Sequence, residues 1–129
     1  MNAVDTNVIA RYVVQDDPAQ TEIATAILAE PCFVSDTVLL ETAWLLSSRY
    51  RIGRAELVAT LRDLLRLPLL SVSNQPLIIW AIERFAAGAD FADMMHIVSG
   101  RHADRFVSFE TRLPALAGPD SPVPVETLA

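Results

Sequence analysis

The stretch Met1-Asn2-Ala3-Val4-Asp5-Thr6-Asn7-Val8-Ile9 decides how the rest of the chain is read. A short apolar run halts at Asp5, Thr6 and Asn7, the pattern of a buried strand that delivers a carboxylate to its end just where a helix begins. Two roles suit Asp5 there. Among the strongest N-cap residues, it would accept a hydrogen bond from the N–H of Asn7 or Val8. As a strand-end carboxylate it would instead belong to a site. The second role gains weight from three further acids, placed downstream where a helix face or strand end returns them to the first.

The strand-to-helix pattern repeats. Helical spacing covers residues 6–14, and Asp16-Asp17-Pro18 closes that helix and opens another, with Pro18 at an N1-like position, that runs to about Glu30. Cys32-Phe33-Val34 reads as a short buried strand, followed by the capping pair Ser35-Asp36 and a helix over 37–50. Gly53 precedes a helix over 55–67 with the apolar stripe Leu57, Val58, Leu61, Leu64 and Leu65. Leu69-Leu70-Ser71-Val72 is a third strand, and Gln75-Pro76 opens a helix over 77–87 that Gly88 ends. A further helix runs from Asp90 to about His102. Residues 105–109 form a fourth strand carrying Glu110 at its end, and a helical turn covers 111–116. From Gly118 the composition predicts an irregular tail, with 123–125 at most an edge strand.

Strands alternating with helices of this length predict an α/β fold with three layers, α/β/α, around a central, mainly parallel sheet of four to five strands. Ligands in such folds collect at the carboxyl ends of the strands. A length of 129 residues with 52% hydrophobic content suits one domain over 1–129.

Sixteen acids against ten bases, a formal charge of −6, argue against a sequence-blind nucleic-acid binder that relies on a basic surface. All ten bases are Arg, whose planar fork suits phosphate, although biased codon usage gives the same composition. Cys32 is the only cysteine, so no internal disulfide forms, and the thiol beside Phe33 and Val34 packs as a small hydrophobe. With no basic stretch leading into an apolar one at the N-terminus and no long uninterrupted apolar run, the chain reads as cytoplasmic, neither secreted nor membrane-spanning.

The helix over 37–50 carries Val38, Leu39, Leu45 and Leu46 on its inner side, and Glu41 falls three residues after Val38 and four before Leu45, which places it on the inward face. A buried carboxylate needs a partner, either an Arg in an ion pair or a shared cation. Asp90 and Asp93 share a face at a helix start, where capping is the plain alternative, and Asp93 also shares its face with Ile97. Acids that converge without matching Arg residues repel one another unless a cation sits between them. With oxygen donors only, that cation is Mg²⁺ or Mn²⁺, as one or two ions. His96 and His102 are six apart, outside the helical spacing of zinc sites, and read as structural or surface residues. No phosphate-binding glycine loop and no serine-nucleophile motif is present.

On Val4-Asp5-Thr6-Asn7-Val8-Ile9, Glu41 within Val38-Leu39-Leu40-Glu41-Thr42-Ala43, Ala89-Asp90-Phe91-Ala92-Asp93-Met94-Met95, and Val107-Ser108-Phe109-Glu110, the chain resembles a PIN domain, specifically a VapC-type toxin ribonuclease. The resemblance implies that Asp5, Glu41 and Asp93 are the core catalytic, metal-binding acids and that Asp90 is an accessory one. It implies that Asn7 orients Asp5, with Thr6 and Ser108 supporting the acids. Glu110 and Ser108 depart from the family's usual Asp and Thr; the extra methylene shifts the carboxylate by about 1.5 Å, leaving direct and water-mediated metal contact as alternatives. Met94 and Met95 are packing residues. The implied activity is metal-dependent hydrolysis of RNA leaving 5′-phosphates, with exposed Arg residues such as Arg112 on flanking phosphates. The implied partners are a VapB-type antitoxin and a second copy of the chain. Two other functions compete: a catalytically silent PIN-like domain that binds RNA or a protein, and a phosphoacceptor domain using Asp5.

Overall fold

A computed structural model describes all residues, 1–129, and divides the chain into two compact units, Met1–Gln75 and Pro76–Ala129. The fold is mixed α/β with seven helices and five short strands, all paired in parallel.

The first unit runs β1 (Asn2–Ala3), α1 (Thr6–Val14), α2 (Pro18–Leu28), β2 (Cys32–Phe33), α3 (Asp36–Ser48), α4 (Arg54–Leu65) and β3 (Leu70–Ser71). Its sheet has the order β1-β2-β3, with Asn2 opposite Cys32 and Cys32 opposite Leu70. Flanking backbone bonds from Val4 N–H to Phe33 C=O (3.0 Å) and from Val34 N–H to Ser71 C=O (2.9 Å) extend the ladder past the two-residue strands. Local chemistry sets the helix starts: Asp17 accepts from Gln20 N–H (3.1 Å) with Pro18 at the first position of α2, and Ser35 accepts from Val38 N–H (3.2 Å) at the start of α3. α1 packs on α2 and α3, and α3 packs on α4. Ile9, Cys32, Val34, Leu46 and Leu61 are sealed from solvent at their centre. Burial pushes the Cys32 thiol up, as fits an inert thiol packed as a hydrophobe.

The second unit contains α5 (Gln75–Ala86, whose first residue belongs to the first unit), α6 (Phe91–Ser99), β4 (Phe106–Ser108), α7 (Leu113–Ala117) and β5 (Val125–Thr127). Its core holds Ile78, Ile82, Met94, Met95, Ile97 and Val98, and the rings of Phe85 and Phe91 meet at 5.8 Å. Arg84 Nε donates to Leu116 C=O (2.7 Å). Gly118 lets the chain turn there at φ +77°, where an added Cβ would stand 3.3 Å from the Arg84 guanidinium.

Two expectations change. The strands are hydrogen-bonded as a three-stranded and a two-stranded sheet rather than as one set of four or five. The tail is not irregular throughout: β5 lies at Val125–Thr127, two residues beyond the expected edge strand, parallel to β4 with Val107 opposite Glu126. Pro122 and Pro124 hide it in the sequence, because proline cannot donate to a ladder, yet the Pro124 carbonyl still accepts from Phe106 N–H (2.8 Å).

Candidate active site

In the first unit, Ala3, Phe33 and Ser71 lie side by side, so two residues further on Asp5, Ser35 and Ser73 hold equivalent places beyond the carboxyl edge of the sheet. Ser35 caps α3, and Ser73 Oγ donates to Asp36 Oδ1 (2.6 Å). Asp5 behaves differently. It occupies the N-cap position of α1 with extended backbone, yet its carboxylate accepts no capping hydrogen bond and stands exposed. The capping role open to Asp5 from sequence is therefore not the one it takes.

The next residue, Thr6, is buried and donates from Oγ1 to Glu41 Oε1 (2.5 Å), tying the first turn of α1 to the middle of α3. Glu41 itself is exposed, which corrects the inward placement. The buried stripe of α3 is Leu39, Thr42, Ala43 and Leu46: Leu39 and Leu46 face inward as expected, whereas Val38 and Leu45 are half-buried, a turn of about 50° from the expected face. Solvent and Thr6 satisfy the carboxylate, so no buried ion pair with an Arg is needed. Asn7 hydrogen-bonds neither acid; it lines an exposed hollow of about 270 Å³ with Arg11, Gln20 and Ile23.

In the second unit, Asp90 does cap: it precedes α6, and its Oδ2 accepts from Asp93 N–H (3.2 Å). Asp93, half-buried in the first turn, has its carboxyl raised above the usual range, chiefly by desolvation and then by the charges of Asp90 and Glu110, against a lowering by His96. Glu110 follows β4 in a tightly wired turn. Its N–H donates to Ser108 Oγ (3.0 Å), its carbonyl accepts from Thr127 Oγ1 (3.2 Å), and its Oε1 accepts from Arg112 N–H (3.1 Å). The Ser108 hydroxyl thus shapes the turn, while the Glu110 side chain faces the start of α7. The Arg112 side chain is exposed, Met94 and Met95 are fully packed, and His96 and His102 lie at the surface.

The raised Asp93 value carries a sign. A carboxyl whose folded pKa lies above its unfolded one adds stability below the unfolded value and loses that contribution as pH rises through the folded one. In chelator, Asp93→Asn is therefore expected to melt at a higher temperature than the wild type at about pH 7, with the gap closing below about pH 4. Thermal melts across that range check this; a variant that melts lower at neutral pH would contradict the electrostatic account.

A model of the PIN domain matches residues 3–119, through both units. The chain belongs to the PIN domain family. PIN domains are a nuclease-type fold, generally hydrolases, and typically use divalent metals. Comparison with curated proteins and with solved structures found no match. The candidate acids, Asp5 and Glu41 in one unit and Asp90, Asp93 and Glu110 in the other, are carboxylates, the ligand chemistry of Mg²⁺ and Mn²⁺. Asp93 is raised chiefly by desolvation and further by the charges of Asp90 and Glu110, and a cation relieves that repulsive part, so the residues fit such an ion in kind. No three His, Cys, Asp or Glu side chains stand together as a ready-made ion-holding group. No helix is long and apolar enough to cross a membrane.

Two features escaped the sequence reading. Nothing in the chain signals the bond of Ser73 to Asp36 across the sheet edge, because strand register alone brings them together. Trp44 sits in an apolar stretch of α3, yet it is 66% exposed.

Proposed function

We propose that this PIN domain is a divalent-metal-dependent endoribonuclease of the VapC type, the toxin of a pair whose antitoxin is VapB-like. The supporting observation is the pairing at the start of α1: an uncapped Asp5 carboxylate followed by a buried Thr6 that holds Glu41. A protein using Asp5 only to build a helix would close the cap, since an uncapped Asp forgoes about 1 kcal/mol of helix stability. The order and identity of the acids through Asp5, Glu41, Asp90, Asp93 and Glu110 support the same reading.

When bound, Mg²⁺ or Mn²⁺ would neutralise charge on the scissile phosphate and make water acidic enough to attack it. Asp5 and Glu41 in the first unit and Asp93 in the second would supply carboxylate oxygens to one or two such ions, and Thr6 ties one oxygen of Glu41 to the start of α1. Asp90 divides its carboxylate between capping α6 and raising the negative potential at Asp93. Arg112 presents its exposed guanidinium to a flanking phosphate. A VapB-like segment would silence the enzyme by covering these acids, and the active form is a cytoplasmic homodimer.

One observation favours a catalytically silent RNA- or protein-binding domain: Glu110 spends a carboxylate oxygen on the Arg112 N–H. Cleavage of a fluorescence-quenched RNA by the purified chain separates the two. The ribonuclease requires cleavage in Mg²⁺ or Mn²⁺ that stops in EDTA and in Asp93→Asn. A folded, antitoxin-free wild type that leaves several RNAs intact would transfer the assignment to the silent domain.

A further inference from the structure

We infer that the exposed stripe of α3 is the track on which single-stranded RNA lies beside the scissile bond, with a nucleobase stacked on Trp44 and the following phosphates on Arg49 and Arg51. The inference rests on the ribonuclease reading and adds to it the residues that grip the substrate.

Four exposed residues run down one side of α3 at helical spacing: Thr37, Glu41, Trp44 and Ser48. The opposite side, Leu39, Thr42, Ala43 and Leu46, is buried, so the helix is anchored and the exposed stripe is held rigidly. Trp44 stands one turn beyond Glu41 with 66% of its surface open, an unusual state for the largest apolar side chain. Its backbone is fixed by Ser48 Oγ donating to the Trp44 carbonyl (2.7 Å).

Below Ser48 the surface turns basic. Arg49 caps the helix, Arg51 follows with left-handed backbone at φ 56°, and Arg54 opens α4; all three are exposed. No acid lies between Glu41 and Glu56, so three of the ten bases of a chain with net charge −6 fall within six residues of an acid-free interval. Glu41 and Arg49 are eight residues apart, about 12 Å along the helix. An aromatic face followed by guanidiniums is the combination with which proteins hold single strands: bases stack on the ring and the backbone follows the positive charge. It also answers how an acidic nuclease holds a polyanion, by placing three of its bases in one acid-free strip that begins near Glu41. Charge next to the ring argues against an apolar protein partner, because such a contact would strand the guanidiniums.

The test is fluorescence anisotropy of a labelled single-stranded oligoribonucleotide with the full chain in EDTA, across a salt series, with cleavage kinetics in Mn²⁺ alongside. Trp44→Ala should weaken binding about 10-fold, and Trp44→Phe should keep most of it. The double change Arg49→Gln with Arg51→Gln should weaken binding and reduce the magnitude of the slope of log affinity against log salt by about 1.4. In cleavage, Trp44→Ala should raise KM more than it lowers kcat. A wild type that cleaves while Trp44→Ala and the double variant bind RNA unchanged would overturn the track and leave the ribonuclease standing. Loss of a dimer in Trp44→Ala with unchanged RNA affinity would assign the stripe to protein contact and overturn it equally. A wild type that neither binds nor cleaves RNA would remove the function itself.

Discussion

Asp5→Asn is expected to lower the rate of RNA cleavage by roughly 100-fold or more while leaving the melting temperature within a degree or so of the wild type. The asymmetry comes from what the carboxylate does and does not do. Asp5 makes no capping bond, so its charge contributes nothing to the helix by that route. Asn is as good an N-cap residue and nearly the same shape, so the start of α1 can even tighten. What the amide cannot supply is the anionic oxygen that a hard divalent ion prefers. Steady-state cleavage in Mn²⁺ paired with circular dichroism melts reads both quantities. A large fall in melting temperature would mean that Asp5 is structural after all, and full activity would remove it from the site.

The second large effect lies on the other side of the neighbouring helix. Leu46 is fully buried on α3. Leu46→Ala should cost about 2–5 kcal/mol, the transfer energy of the lost carbons plus the cavity they leave. Against a typical total of about 5–15 kcal/mol for a domain, that is a major fraction. Urea unfolding followed by far-ultraviolet dichroism measures it, and the midpoint should fall with the slope unchanged. Since Leu46 faces away from the exposed stripe that carries Glu41, cleavage by the folded fraction should change far less than stability does. A cost below about 1 kcal/mol would mean that the site collapses around the smaller side chain.

The contrast between these residues also shows how far the sequence could be read. The first strand was legible because an apolar run stops at a polar triplet, and the helices were legible because Pro18, Gly53 and Gly88 punctuate them. α3 was legible as a helix but not in its rotation. Val38, Leu39, Leu40, Ala43, Trp44, Leu45 and Leu46 put apolar residues on nearly every side, so spacing alone fixed Leu39 and Leu46 as inner residues but not the rotation of the face around them. The structure takes the rotation that turns Glu41 and Trp44 outward. Asp5 and Asp90 looked alike as acids at helix starts, and only geometry separates them: Asp90 caps and Asp5 does not. The division of strands was not legible, since parallel partners are chosen by tertiary contacts and not by local periodicity. The α/β class and the family followed from alternation and from acid order, which survive such local errors.

The hydrogen bonds between the two ends of the second unit place a boundary where pattern matching does not. The family match stops at residue 119, yet β5 at Val125–Thr127 zips onto β4, Leu128 N–H reaches the Ser108 carbonyl (2.7 Å), and Thr127 holds the carbonyl of Glu110. Anyone shortening this protein to its recognisable core, or fusing a bulky label directly after residue 119, would unlatch the clasp that sets the Glu110 turn. In this chain the segment that reads as an irregular tail is thus a splint for the turn that carries Glu110.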